Sequence, residues 1–165
     1  MRRRVLWVAW AAVVLLMMAQ AARAQGGDEA PRLSPLFVRA SISTAGPYGE
    51  SWYLTIGPDG DVSLQVFYTS KPSGSLMARF QLSAEQVGAI RKASETQRFF
   101  EVPGDLAPQQ RQFHRPHLQL EFHLGERHHK VSLYDPSAIK SHAATGRFLT
   151  VWNTVFEGLP LRPSW

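Results

Sequence analysis

The chain has 165 residues, with 18 Lys+Arg against 13 Asp+Glu, six histidines, no cysteine and 44% hydrophobic residues. That length suits one domain able to bury about 68–70% of its unfolded surface. The absence of cysteine excludes both a disulfide framework and lipidation at a thiol. The formal charge of +5 looks basic, but Arg2, Arg3, Arg4 and Arg23 supply nearly all of it, and beyond residue 24 the balance is 14 to 13. A nucleic-acid partner, which needs a basic face or stripe, is excluded on that ground.

Residues 1–4 are a positive cluster, residues 5–19 an unbroken apolar run, and Ala22-Arg23-Ala24 a small-x-small triplet. Together they read as a secretory signal peptide over 1–24, cleaved after Ala24. The working protein is expected to be periplasmic or secreted, carried across a bacterial inner membrane. The alternative is an uncleaved inner-membrane anchor facing the periplasm. Residues 5–22 number 18, which falls within the roughly 17–25 that a spanning helix uses, and Arg2 to Arg4 would hold the cytoplasmic end. Residues 25–35, with two glycines, two prolines and mixed charge, read as a flexible tether. Residues 36–160 form the single predicted domain and 161–165 a short tail.

Leu36, Val38, Ala40 and Ile42 alternate with Phe37, Arg39, Ser41 and Ser43, the pattern of a strand with one buried face. A turn follows at 45–49. Pro58-Asp59-Gly60 then separates two further alternating runs, 52–57 and 61–68. Proline presets φ and glycine accepts the left-handed conformation, so a three-residue hairpin loop is expected. With Gly57 facing Asp61, Ile56 pairs with Val62, Leu54 with Leu64 and Trp52 with Val66 on the apolar face. Thr55 pairs with Ser63 and Tyr53 with Gln65 on the other. A one-residue slip would scramble this separation.

After a turn at 69–74, Leu76, Ala78, Phe80 and Leu82 alternate as a fourth strand. Ser83-Ala84-Glu85-Gln86 opens a helix with a capping box, and Leu82 and Val87 stand where a hydrophobic staple would. That helix is expected to reach about Gln97, turning Val87, Ile90 and Ala93 to the sheet, and Phe99-Phe100 with Val102-Pro103-Gly104 closes it. Residues 105–116 read as a long polar loop. A second hairpin turns at Gly125-Glu126. Pairing Leu124 with Arg127 sets Leu120 opposite Val131, Leu118 opposite Leu133, and Glu121 opposite Lys130 as a cross-strand charge pair. Asp135-Pro136-Ser137 ends the strand. A last helix over about 143–157 carries Phe148, Val151, Trp152 and Val155 at helical spacing and stops at Gly158. The fold class is thus α+β: a mostly antiparallel sheet in the order β-β-β-β-α-β-β-α, with both helices on its apolar face.

Five of the six histidines lie between His114 and His129. The hairpin register sets His123 opposite His128, with Glu121 two residues along the same face and His117 further down. Two imidazoles and a carboxylate on one face could hold zinc or copper with water completing the shell; the plainer reading is the polar face of an exposed hairpin. His129 falls on the apolar side beside Phe122 and reads as a half-buried, hydrogen-bonded side chain. No catalytic residue is assigned, because the chain lacks a Gly-x-Ser-x-Gly elbow, a His-Glu-x-x-His helix and a Ser-x-x-Lys pair. Tyr53, Phe67, Tyr68, Phe113 and Trp165 could contribute to an aromatic patch for a partner.

Leu82-Ser83-Ala84-Glu85-Gln86, then Phe99-Phe100-Glu101-Val102-Pro103, a two-strand hairpin and a closing helix resemble small exported bacterial domain families. Among them, the emfourin-type inhibitors of thermolysin-like proteases have a comparable rhythm over about residues 52–160. The resemblance implies a non-enzymatic binding or inhibitory module and carries over no functional residue. The expectation is a periplasmic protein-binding or inhibitory module, meeting an envelope protein or protease through Tyr53, Thr55, Ser63 and Gln65 on the open sheet face or through the 105–116 loop. A metal-binding protein using His123, His128 and Glu121 is the alternative, and an envelope hydrolase stands third. No cofactor is required by the first reading.

Overall fold

The alternating segment at residues 36–42 becomes the middle strand of the sheet in a computed structural model, which describes residues 35–44, 49–69, 74–161 and 163. The predicted signal peptide, nearly all of the tether, most of the 45–49 and 69–74 turns and most of the tail lie outside the described residues. Strand β1 (Leu36–Ser43) pairs antiparallel with β2 (Glu50–Ile56) on one side and β6 (His117–Leu124) on the other. Beyond β2 come β3 (Asp61–Tyr68) and β4 (Gly74–Gln81); beyond β6 come β7 (Arg127–Tyr134) and a short β5 (Asp105–Leu106). The seven-stranded sheet therefore runs β4-β3-β2-β1-β6-β7-β5, and only the β5–β7 pair is parallel. Helices α1 (Ala84–Thr96) and α2 (Ala143–Glu157) complete an α+β fold within one compact unit spanning 34–165.

Local chemistry explains the hairpins. Gly57 N–H donates to Asp61 O at 2.8 Å and Gly60 N–H to Gly57 O at 3.0 Å, while Gly60 takes a φ of +84°. A Cβ added at Gly60 would also lie 2.8 Å from the Leu82 carbonyl oxygen, so glycine is required there twice over. At the second hairpin Gly125 takes φ +60°. Both registers are those expected from the hydrophobic alternation, with Leu54 opposite Leu64 and His123 opposite His128. The capping box at α1 is complete: Gln86 N–H donates to Ser83 Oγ at 3.2 Å, and Ser83 N–H to Gln86 Oε1 at 2.8 Å.

The inner face of the sheet and the buried sides of both helices form one core. Phe99 joins its layers. It sits in a 3₁₀ turn (Phe99–Glu101) after α1, and its ring centroid lies 4.9 Å from Phe122 of β6 and 6.5 Å from Phe148 of α2. The helix before it ends because Arg98 adopts a left-handed φ of 48°.

Two expectations need correction. Residues 105–116 are not loop throughout: Leu106 is buried and pairs with Leu133, because Ser132 N–H donates to Gly104 O and draws the chain alongside β7. On α1, Ile90 is buried and Val87 packs half-buried against the core as expected, but beside half-buried Ala93 it is Ser94 that is fully buried; Ser94 tolerates burial because its hydroxyl donates to Arg91 O at 2.7 Å. On β4 the inward residues Leu76, Ala78 and Phe80 are incompletely covered, Ala78 and Phe80 being half-buried against the core and Leu76 39% exposed, since an edge strand lies at the margin of the helical layer.

Phe99→Ala should therefore cost about 3–5 kcal/mol in chemical denaturation, as expected for deleting a fully buried aromatic ring. Phe67→Ala, on the face that carries no helix, should cost only about 0.5 kcal/mol.

Candidate functional site

Because inner and outer side chains alternate along every strand, the face opposite the helices is composed of residues in cross-strand rows. One row runs Arg79, Ser63, Thr55, Arg39, Glu121, Lys130 from β4 to β7. The next runs Met77, Gln65, Tyr53, Ser41, Gln119, Ser132. The structure thus brings Tyr53, Thr55, Ser63 and Gln65 together as two facing pairs on the helix-free face. Reasoning from hairpin alternation found these four. It missed Arg39, Gln119 and Lys130, which join them only because β1 is inserted between the two hairpins.

Two features distinguish this face from a plain polar surface. Tyr53 (52% exposed), Phe67 (39%) and Met77 (63%) come from three adjacent strands, and the Tyr53 and Phe67 rings meet edge to face at 5.9 Å. Beside them, the short side chain of Ser41 leaves a depression of about 230 Å³ whose walls include Arg39, Tyr53, Thr55, Gln119, Glu121 and Lys130. Arg39 and Lys130 share its walls with the Glu121 carboxylate, so the depression is mixed in charge, with Tyr53 as its aromatic wall.

At the β6–β7 end, His123 and His128 stack with ring centroids 4.2 Å apart. Their Nε2 atoms lie 2.9 and 3.0 Å from the same Glu121 Oε1. Phe37 packs edge-on against His123 at 5.6 Å, and the Arg39 guanidinium rests over Phe37 at 5.0 Å. Partial burial pushes the Glu121 carboxyl up, but hydrogen bonds with the two imidazoles and the positive charge of Arg39 outweigh it and hold the group below the ordinary carboxylate range. Lys130 stands opposite Glu121 in register as expected, yet the close contacts of the carboxylate are with the histidines. His117 is apart from this cluster, half-buried against Tyr134. His129 is also separate: it is half-buried, with Nε2 2.7 Å from Val102 O. His114 is exposed in the loop with φ 61°.

A second concavity, of about 470 Å³, lies below β7 and is lined by Arg115, Asp135, Ser137, Lys140, Leu149 and Asn153 among others. Asp135 is buried with φ 48°. It accepts a hydrogen bond from Ser137 Oγ at 2.5 Å and lies 3.5 Å from Arg115 Nε. In sequence Asp135-Pro136-Ser137 read only as a strand end, and nothing in the residues themselves marked a pocket.

No family model matches this chain, and no curated protein matches it. Among the described residues no helix is long and apolar enough to cross a membrane.

Burial, reinforced by Arg111 and Lys130 and opposed by Asp105, lowers the His117 pKa. A group whose folded pKa is depressed binds more protons when unfolded, so its contribution to stability is lost as pH falls through the ordinary histidine value and below. His117→Gln should therefore lose less Tm than the parent chain between about pH 7.5 and pH 5. Equal losses in both proteins would show that His117 does not contribute.

Proposed function

We propose that this chain is an exported, periplasmic protein-binding module, and that its partner docks on the helix-free face of the sheet. The observation that carries the reading is the cluster of Tyr53, Phe67 and Met77, three large side chains exposed on neighbouring strands of one face. Contiguous exposed apolar groups on a soluble domain mark interaction surfaces. Aromatic residues, Met and Arg are the types enriched at protein interfaces, and Arg39 and Arg79 border this cluster.

The charged strand positions of the described outer face are Arg39, Arg79 and Lys130 with Asp61, Asp105 and Glu121. Asp105 lies at the far edge, bound to Arg111, while Arg39 and Arg79 flank the apolar cluster, which favours a partner surface with acidic groups around an apolar centre. The signal-like residues 1–24 support the compartment. The inhibitor-like rhythm of residues 52–160 supports an envelope protein or protease as partner class.

A photo-crosslinking amino acid replacing Tyr53 should trap a protein adduct in intact cells, while the same probe replacing Glu95, exposed on α1, should not. Adducts formed equally from both positions, or from neither, would remove the reading. If the partner is a thermolysin-like protease, the purified chain should slow that enzyme, and Tyr53→Ala with Met77→Ser should weaken inhibition at least about tenfold, since interface energy concentrates in a few aromatic anchors.

A further inference from the structure

The docking reading makes no use of the stacked histidines. We propose that Glu121, His123 and His128 form a binding site for a divalent late transition metal, copper(II) or zinc, on the outer sheet face. The donor set is two imidazole nitrogens and one carboxylate oxygen, the types that zinc and copper(II) share. All three donor atoms lie within 4.8 Å of one another.

The spacing supports a metal more directly than composition does. Around a tetrahedral ion with bonds of roughly 2.0–2.1 Å, neighbouring donor atoms stand roughly 3.3 Å apart. Here each Nε2 lies 2.9 or 3.0 Å from Glu121 Oε1. The spacing is thus within a few tenths of an ångström of that of metal ligands, and the two rings, stacked 23° from parallel, must turn so that both Nε2 lone pairs converge on the ion.

The site is also preorganised. His123 and His128 are directly opposed on antiparallel strands joined by a two-residue turn, and Glu121 follows on the same face of β6. Donors on strands are held more tightly than donors on loops, and the edge of Phe37 supports the His123 ring. The outer sides of the imidazoles are open, with 41% and 54% of the His123 and His128 side chains exposed, leaving room for water to complete the shell.

Without metal, the geometry is that of two imidazoles each sharing its Nε2 proton with one carboxylate oxygen. Metal binding uses the same nitrogens as lone-pair donors, so each ring must carry its proton on Nδ1 and the two Nε2···Oε1 hydrogen bonds are exchanged for metal bonds. Arg39 and Lys130, which flank Glu121 in register, oppose the cation. They place the site among exchangeable ones rather than structural ones, and copper(II) should bind more tightly than zinc in keeping with the Irving–Williams order.

The test is calorimetric titration of the untagged, chelator-stripped protein with copper(II) and with zinc in a non-coordinating buffer. The expected result is one equivalent of metal per chain. His123→Ala or His128→Ala should weaken binding at least about tenfold, the scale on which even supporting residues of metal sites act, and the double substitution should abolish it. His142→Ala, an exposed histidine outside the hairpin, should leave it unchanged. Bound copper(II) should show two nitrogen ligands by electron paramagnetic resonance in the parent chain and one in either single variant. Circular dichroism of each variant is the control that its fold is intact. Absence of saturable binding in the parent chain, or a site that survives the double substitution, overturns the proposal. Crosslinking from position 53 is read independently, so either result stands without the other.

Discussion

Strand β1 is the constraint on which the rest of this molecule depends. It pairs with β2 through six residues and with β6 through eight, joining a three-strand meander to a hairpin more than seventy positions later in the chain. Leu36, Val38, Ala40 and Ile42 are all at most 3% exposed, so each inward position is fully committed. A slip of one residue would send Arg39 and Ser41 into the core and four apolar side chains to water. Nothing else brings Arg39 and Ser41 between Tyr53 and Glu121, and so the outer face exists as a surface only because β1 is in register on both sides.

The helical layer then decides which parts of the sheet remain available. Both helices and the Phe99 turn cover the inner side, with Phe148, Trp152 and Phe156 forming an aromatic run along α2. The opposite side keeps its polar rows, its exposed aromatic and Met cluster and its stacked histidines. Margins behave differently: β4 is an edge strand whose inward residues Leu76, Ala78 and Phe80 are incompletely covered. Edge strands with free backbone groups are the part of a sheet most prone to pair with another chain, and β4 adjoins the proposed docking face.

Most of the architecture was legible in the residues for local reasons. Pro58-Asp59-Gly60 and Gly125-Glu126 each specify a turn whose length sets a register, and period-2 alternation confirms it. The capping box at Ser83 and the Phe148, Val151, Trp152, Val155 spacing mark helices in the same way. What was not legible depends on contacts between distant segments. The pairing of Leu106 with Leu133 is carried by two residues, too few to show a period. Helical spacing assigns Val87, Ile90 and Ala93 to the core face of α1, and it does not show that Ser94, whose hydroxyl is satisfied by Arg91 O, is the residue buried beside Ile90.

The candidate site divides along the same line. Hairpin chemistry alone set His123 opposite His128 and Tyr53 opposite Gln65, because partners across a tight turn are determined by the turn itself. Only the tertiary structure decided that Arg39 and Phe37 would support the histidine cluster. Only it decided that Ser41 would open a depression between Tyr53 and Gln119, and that Asp135 would line a cavity with Lys140 and Asn153. Local signals determine the geometry within an element and its immediate hairpin. The order in which strands assemble, and hence which polar side chains become neighbours, follows from how the whole apolar face is buried, and that is a property of no single segment.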